Sequence, residues 1–238
     1  MPQIKDLKIK IFADGADIKT MLEQDKGGIV KGFTTNPTLM QKNGITNYET
    51  FAKDVLQHIK DKPISFEVFS DEFDDMERQA RKIASWGSNI TVKIPITNTK
   101  GISSIPLIKK LSNDNLSLNI TAILTLEQVR AVKEVLNPNV YNIVSVFAGR
   151  IADTGRDPIP YMIEASKILK PLQKTDLLWA SSRELLNIFQ AEEAGCQIIT
   201  VTNDILKKLS NINKELGGLS LDTVKMFYKD ACQAGFKI

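Results

Sequence analysis

The chain has 238 residues, of which 42% are hydrophobic and 25% charged, with a net charge of +3. That is enough apolar material for a sizeable core in one large domain or two small ones, and too little net charge, without any basic run interleaved with aromatics, to imply a nucleic-acid partner. Two cysteines, Cys196 and Cys232, sit in no CxxC pair and exclude a disulfide framework or zinc module, and the single histidine, His58, excludes a His-rich metal site.

Nucleophile motifs such as GxSxG, the GxGxxG fingerprint and the GxxxxGK[ST] loop are also missing, which argues against serine-hydrolase, dinucleotide and P-loop chemistry. The N-terminus, MPQIKDLKIKIFADG, has no signal-peptide core, and no apolar run approaches membrane-spanning length. The expected location is the cytoplasm, with no membrane partner.

In chain order, KIKIFADG (8–15) predicts a strand ending in a tight turn, and ADIKTMLEQ has helical spacing. IVKGFTTNPT (29–38) predicts a second strand, stopped by Pro37 where a loop or helix begins. NYETFAKDVLQHIK (47–60) is amphipathic, with Phe51, Val55 and Ile59 on one face and His58 on the surface. PISFEVFS (63–70) predicts a third strand, and EFDDMERQARKIASWG a helix closed by Gly87. ITVKIPIT (90–97) is the fourth strand, and SSIPLIKKL the helix after it.

The second half repeats the alternation. SLNITAIL (117–124) predicts a strand and TLEQVRAVKEVL (125–136) a helix with Thr125 as its N-cap. NVYNIVSVFAGR (139–150) reads as a strand and IPYMIEASKILK as a helix. DLLWASSR is a strand, ELLNIFQAEEAG a helix capped by Gly195, and QIITVTN the last strand. DILKKLSNI and the amphipathic SLDTVKMFYKDACQAG close the chain as helices. About eight strand–helix pairs without a linker imply a parallel sheet. The count fits a (β/α)₈ TIM barrel over residues 1–238, with an additional C-terminal helix; a doubly wound open sheet is the competing architecture.

The fourth strand carries the residue that calls for an explanation. Lys93 lies within TVKIPIT (91–97), and lysine is rarely buried unless paired or working. A desolvated amine is a nucleophile able to form a Schiff base; a lysine that snorkels to water or pairs with a carboxylate is the alternative. Other strands also end in polar residues: Asp14, Asn36, Glu67, Asn119 with Thr121, Ser145 with Arg150, and Ser181 with Arg183. Each has an ordinary reading. Asp14 could cap a helix, Asn36 could make a turn, Glu67 could pair with a lysine, Arg150 could be a solvated loop residue, and Ser181 and Arg183 could cap the next helix. Taken together they converge on the C-terminal rim, where TIM barrels carry out chemistry. Two carboxylates can supply an acid and a base to an amine, and two arginines with a serine can clamp a phosphate.

With these residues in view, the chain resembles the transaldolases, in particular the short subfamily that also contains fructose-6-phosphate aldolases. The matching motifs are FTTNPTLM (33–40), FEV (66–68), VKIPIT (92–97), LNIT (118–121), SVFAGRIADTGRDP (145–158), ASSR (180–183) and AGCQIITVTNDIL (194–206). The resemblance implies a (β/α)₈ barrel and a dihydroxyacetone Schiff base on Lys93. Asp14 and Glu67 would handle protons through a bound water. Thr34, Asn36, Asn119, Thr121, Ser145 and Phe147 would surround the water and substrate, and Arg150, Ser181 and Arg183 would hold its phosphate. It implies sugar-phosphate substrates and no metal or organic cofactor.

Glu67 and Phe147 match the transaldolase pattern, where the related aldolases are expected to carry Gln and Tyr. The preferred expectation is therefore transfer to an aldose phosphate, with an aldolase-type lyase as the alternative. The chain departs from the family pattern at Gly15, Val146, Thr202 and the loop TNTKG, positions that bear on substrate choice. The final helix, about residues 220–235, has Leu221, Val224, Phe227 and Tyr228 at helical spacing. It resembles the C-terminal helix that packs on a neighbouring subunit in the short subfamily, which implies a homo-oligomer, a pentamer or a decamer of two rings.

Overall fold

A computed structural model describes residues 4–237, apart from the Lys5 side chain; the first three residues of the stretch read as leaderless lie outside the described residues. Eight parallel strands close into a barrel in sequence order: β1 Lys10–Asp14, β2 Val30–Thr34, β3 Ile64–Glu67, β4 Ile90–Pro95, β5 Leu118–Ile123, β6 Asn142–Val146, β7 Thr175–Trp179 and β8 Ile198–Thr202. The open-sheet alternative is therefore set aside, because β1 pairs with both β2 and β8. The strands are short and almost wholly buried, as expected where helices cover the outside and side chains fill the inside.

The helices between them are α1 Ile18–Lys26, α2 Pro37–Lys42, α3 Tyr48–His58, α4 Phe73–Ala84, α5 Ile105–Asn113, α6 Leu126–Lys133, α7 Ala148–Ala152, α8 Ile159–Leu169, α9 Leu186–Glu193 and α10 Asn203–Lys207. Their apolar stripes are buried, as with Phe51, Ala52 and Val55 of α3 and Met76, Ala80 and Ile83 of α4. Phe66 of β3 meets Phe51 of α3 and the Trp86 indole edge-on, at 6.5 and 6.2 Å between ring centroids. Inside the barrel, Phe12 packs with Ile143, Leu178, Ala180 and Ile198. Gly32 makes room for it: a Cβ there would fall 2.4 Å from the Phe12 ring.

Local expectations met three refinements. The run 139–150 is not one strand. It breaks at Phe147 (φ −84°, ψ 62°), and Ala148–Ala152 turns into a helix, which its small, unbranched residues allow. The fourth helix ends at Ala84 with Ser85 as its cap, short of Gly87, and Trp86 docks on Phe66. Pro37 begins α2 at its first helical position, with Asn36 as the N-cap. Thr125 caps α6 as expected, with Gln128 closing a capping box. Gly195 follows α9 at φ +82°, the left-handed position that favours glycine.

The chain divides into two compact units. The barrel is the first, residues 8–206. The second takes in residues 4–7 and 207–237: a short 3-10 helix Ile4–Asp6, another at Lys208–Asn211, and α11 Leu216–Ala234. Glu215 caps α11 by accepting from Gly217 and Gly218 N, and Gly235 ends it at φ +68°. Along α11, Leu221, Val224, Phe227 and Tyr228 are each more than half exposed. Among the described residues no helix is long and apolar enough to cross a membrane.

Candidate active site

The C-terminal ends of the strands surround a cavity of about 650 Å³. Parallel register sets what meets there. Glu67 pairs with Lys93, Lys93 with Asn119, and Asp14 with both Thr34 and Thr202. Because side chains alternate along a strand, this register sends Asp14, Thr34, Glu67, Lys93, Thr121, Ser145 and Thr200 to the cavity wall.

Lys93 is buried, at 7% exposure, and its Nζ lies 3.0 Å from Glu67 Oε2 and 3.3 Å from the Thr35 carbonyl. An ammonium with three donor directions thus has two partners among the described residues and one direction left for a ligand. Glu67 is itself steadied through its backbone, because Tyr48 Oη donates to the Glu67 carbonyl at 2.7 Å. Burial raises the Tyr48 phenol, so that it remains a donor. Asp14 is the second carboxylate. Burial pushes its carboxyl above the ordinary value, against the pull of Lys93 and the Thr34 hydroxyl, with Glu67 adding to the rise. Two carboxylates in unequal surroundings flank one amine, an arrangement suited to moving a proton on and off it.

Beneath the lysine runs a hydrogen-bonded layer. Ser145 Oγ donates to Asn119 Oδ1 at 2.6 Å, Asn119 Nδ2 donates to Ser65 Oγ at 2.9 Å, and Ser65 meets Thr91 at 2.6 Å. Asn119 is fully buried, and both ends of its amide are spoken for. Ser145 has committed its proton, so what it offers the cavity is a lone pair. Thr121 differs. Its Oγ1 is buried with no hydrogen-bond partner among the described residues, although it lines the cavity. Ala122, next in line, stands at φ +60°, and the β5–β6 register shifts there. A non-glycine residue in the left-handed region is strained, and here the strain sits on the cavity wall.

The β6–β7 side of the wall carries two arginines. Arg150 leaves α7, its guanidinium 5.5 Å from the Phe147 ring centroid. Arg183 follows β7 and is held by Asp153: Nε donates to Oδ1 at 3.0 Å, and the terminal nitrogen donates to Oδ2. The guanidinium keeps the Asp153 carboxyl below the usual range. Ser181 reaches this wall through a left-handed turn at φ +59°. Its carbonyl is packed so tightly against Gly149 that a Cβ there would fall 1.6 Å from the oxygen. Gly149 is therefore required for the approach of the α7 turn to the β7 turn, which sets the two arginines on one side.

Lys93, Asp14, Glu67, Thr34, Asn36, Thr121, Ser145, Phe147, Arg150, Ser181 and Arg183 all line the cavity, and Asn119 lies in the layer below it. Several ordinary readings fall away or merge. Asp17 caps α1, not Asp14, and α9 begins at Leu186, past Ser181 and Arg183. Asn36 both lines the cavity and caps α2, its Oδ1 accepting from Leu39 N at 3.0 Å. Sequence reading missed Thr200, Lys42 and Ser182 on the wall and Asp153 behind Arg183, and named Thr202, also on the wall, only as a departure from the family pattern. Thr200 could have been found by period two: it stands two residues before Thr202 at the strand end.

A sequence model of the Transaldolase/Fructose-6-phosphate aldolase family matches residues 11–237. The chain belongs to this family. Among curated relatives, a probable transaldolase of Thermoplasma volcanium is 36% identical over 215 residues, 89% of this chain and 92% of its own. One from a Thermoanaerobacter species is 31% identical over 231 residues, 97% of this chain and all of its own. Another, of Dehalococcoides mccartyi, is 32% identical over 202 residues. The family match runs from β1 through α11, so it takes in the described part of the C-terminal helix as well as the barrel. In a transaldolase-family barrel, a lysine on β4 facing carboxylates from β1 and β3 stands where the strands present polar groups to one cavity.

Proposed function

We propose that the protein is a transaldolase that moves a dihydroxyacetone unit from a ketose phosphate to an aldose phosphate through a Schiff base on Lys93. The observation that carries this reading is the buried Lys93 amine, 3.0 Å from Glu67, in a cavity also lined by Arg150 and Arg183 from the β6–β7 side. The amine attacks the ketone carbon, and the carbinolamine loses its hydroxyl as water once a proton is supplied. Glu67 takes the amine's proton and returns it to that hydroxyl. The imine then draws electrons as the bond to the hydroxyl-bearing carbon breaks. Asp14 accepts that hydroxyl's proton, and an aldose phosphate leaves. The three-carbon enamine left on Lys93 adds to the aldehyde of the acceptor by the reverse steps.

Thr121 Oγ1 and the Ser145 lone pair serve the water and the sugar hydroxyls, with Thr34 and Asn36 beside them. Arg150, Ser181 and Arg183 hold the phosphate at a fixed distance from the amine, which orients the chain for cleavage. Glu67 and Phe147 favour transfer over release. A carboxylate shuttles protons during the exchange of aldehydes, and a phenyl ring offers no hydroxyl to help water protonate the enamine. The exposed apolar residues of α11 support a homo-oligomer in which this helix packs on a neighbouring subunit, a pentamer or decamer in the cytoplasm.

Incubation with fructose 6-phosphate and borohydride, followed by peptide mapping, tests the assignment. The expected product is a reduced three-carbon adduct on Lys93 alone; an adduct elsewhere, or none with any ketose phosphate, overturns it. Free dihydroxyacetone, with no gain on adding an aldose phosphate, would mark an aldolase instead.

A further inference from the structure

Asp14 does not stand alone on β1. Thr34 Oγ1 of β2 donates to Asp14 Oδ1 at 2.9 Å, and the same oxygen lies 2.6 Å from Thr200 Oγ1 of β8. A hydroxyl has one proton to give. With Asp14 ionised, Thr34 spends that proton on the carboxylate, so the short contact must run from Thr200 to Thr34. With Asp14 protonated on Oδ1, the oxygen that Thr34 reaches, the carboxyl donates to Thr34, and Thr34 passes its own proton on to Thr200. Both threonines are buried, at 2% and 6% exposure, at the wall of the cavity. Thr200 lines the cavity, which leaves it a direction in which to donate in the second state.

We propose that Thr200 is a positioning residue, the far end of a reversible hydroxyl relay that keeps Asp14 hydrogen-bonded in both its charged and its neutral form. The inference rests on Asp14 being a proton-transfer group, the role given above. A group that must both accept and return a proton within one turnover gains from partners that reverse without moving heavy atoms, because neither state then leaves a buried donor unmatched. The two states are not equally dependent on Thr200. Without its hydroxyl, the ionised form still has the Thr34 bond. The form protonated on Oδ1 leaves the Thr34 proton with no acceptor side chain among the described residues, and burying an unmatched donor is the larger cost.

Thr200→Val therefore disfavours the protonated carboxyl. The charged groups facing Asp14 are Lys93 from β4 and Glu67 from β3, and the substitution touches neither. Nor does it touch the bond from Ser182 Oγ, which goes to the backbone carbonyl of Thr200.

The test is a carbon-13 NMR titration of the full-length protein labelled at the aspartate carboxyl, with Asp14→Asn used to assign the signal. In Thr200→Val the Asp14 midpoint should fall by about one pH unit, while Thr200→Ser, which keeps the hydroxyl, should titrate with the parent. The limb of the kcat/KM profile that belongs to Asp14 should move the same way. A midpoint unchanged in Thr200→Val overturns the relay, as does an equal displacement in Thr200→Ser, which would mean that lost packing was responsible. If the valine variant fails to fold, Thr200→Ala carries the same expectation. The titration is read without substrate, so it stands or falls independently of whether Lys93 forms the adduct.

Discussion

On the β3–β4 side of the cavity the candidate groups are buried within strands, whereas on the β6–β7 side they stand half-exposed on the rim. The Lys93 and Glu67 side chains are 9% and 17% exposed and sit in strands paired residue to residue. The Arg183 and Asp153 side chains are 48% and 51% exposed and stand on turns after the strands. Under the proposed function, the contrast follows from what each end would do. Bond making at an amine needs atoms fixed to within fractions of an ångström, and a barrel strand supplies that through its hydrogen-bond register. A phosphate is a large, symmetric charge, and two long guanidinium side chains can find it from an open rim. If this division is right, damage on the lysine side should appear in kcat and damage on the arginine side in KM.

The largest effect should come from Lys93→Met. With no nucleophile, turnover should fall by at least about 10⁴-fold. Circular dichroism should show the barrel intact, although Glu67 loses its partner and the melting temperature should drop. Retained activity within tenfold of the parent would remove Lys93 from the chemistry. Next comes Gly149→Ala, which tests whether the rim has any rigid part. A Cβ 1.6 Å from the Ser181 carbonyl forces the α7 and β7 turns apart. A loss of about 2–3 kcal/mol in urea unfolding is expected, together with a raised KM for phosphorylated substrates. A variant as stable as the parent would show that the turns separate freely.

Arg150→Ala and Arg183→Ala should each raise KM for a ketose phosphate by about 10- to 100-fold, the worth of a charge-assisted hydrogen bond, with kcat changed far less. The Arg183 variant should make Asp153→Ala nearly silent, because Asp153 acts by holding that guanidinium. Equal handling of unphosphorylated sugars by the parent would sink the clamp.

The lysine side was also the more legible in sequence, for the same physical reason. A charged residue inside an apolar run contradicts its surroundings, so Lys93 in TVKIPIT and Glu67 in ISFEV announce themselves. The β/α alternation was equally plain, because eight apolar runs separated by amphipathic stretches leave few architectures open. Thr200 gave only the faint signal of its period-two spacing from Thr202, since a threonine in QIITVTN also satisfies strand propensity. Asp153 in IADTG looks like turn chemistry, and only the folded rim shows it gripping Arg183. The left-handed Ala122 leaves no trace at all, because alanine carries no preference for that conformation. The helix holding Arg150 was hidden by continuity, VSVFAG reading as one apolar strand until Phe147 turns the chain.

The smallest effect concerns the balance between stability and chemistry at Asp14. Its carboxyl is pushed up in the fold, first by burial, while in the unfolded chain it ionises in the ordinary carboxylate range. Between those two values the folded chain holds a proton that the unfolded chain has lost. Stability therefore falls as pH rises through that window. Below it the group is neutral in both states, and above it the full cost of an ionised, buried carboxylate bears on the fold. Asp14→Asn removes the titration. Urea unfolding across pH should then show the variant more stable than the parent at pH 7, with the two curves converging as pH falls below the ordinary carboxylate value. The same variant should lose most of its turnover. A parent more stable than the variant at pH 7 would mean that attraction to Lys93 outweighs burial. The lysine side would then owe its order to the ion pairs themselves rather than to the barrel that confines them.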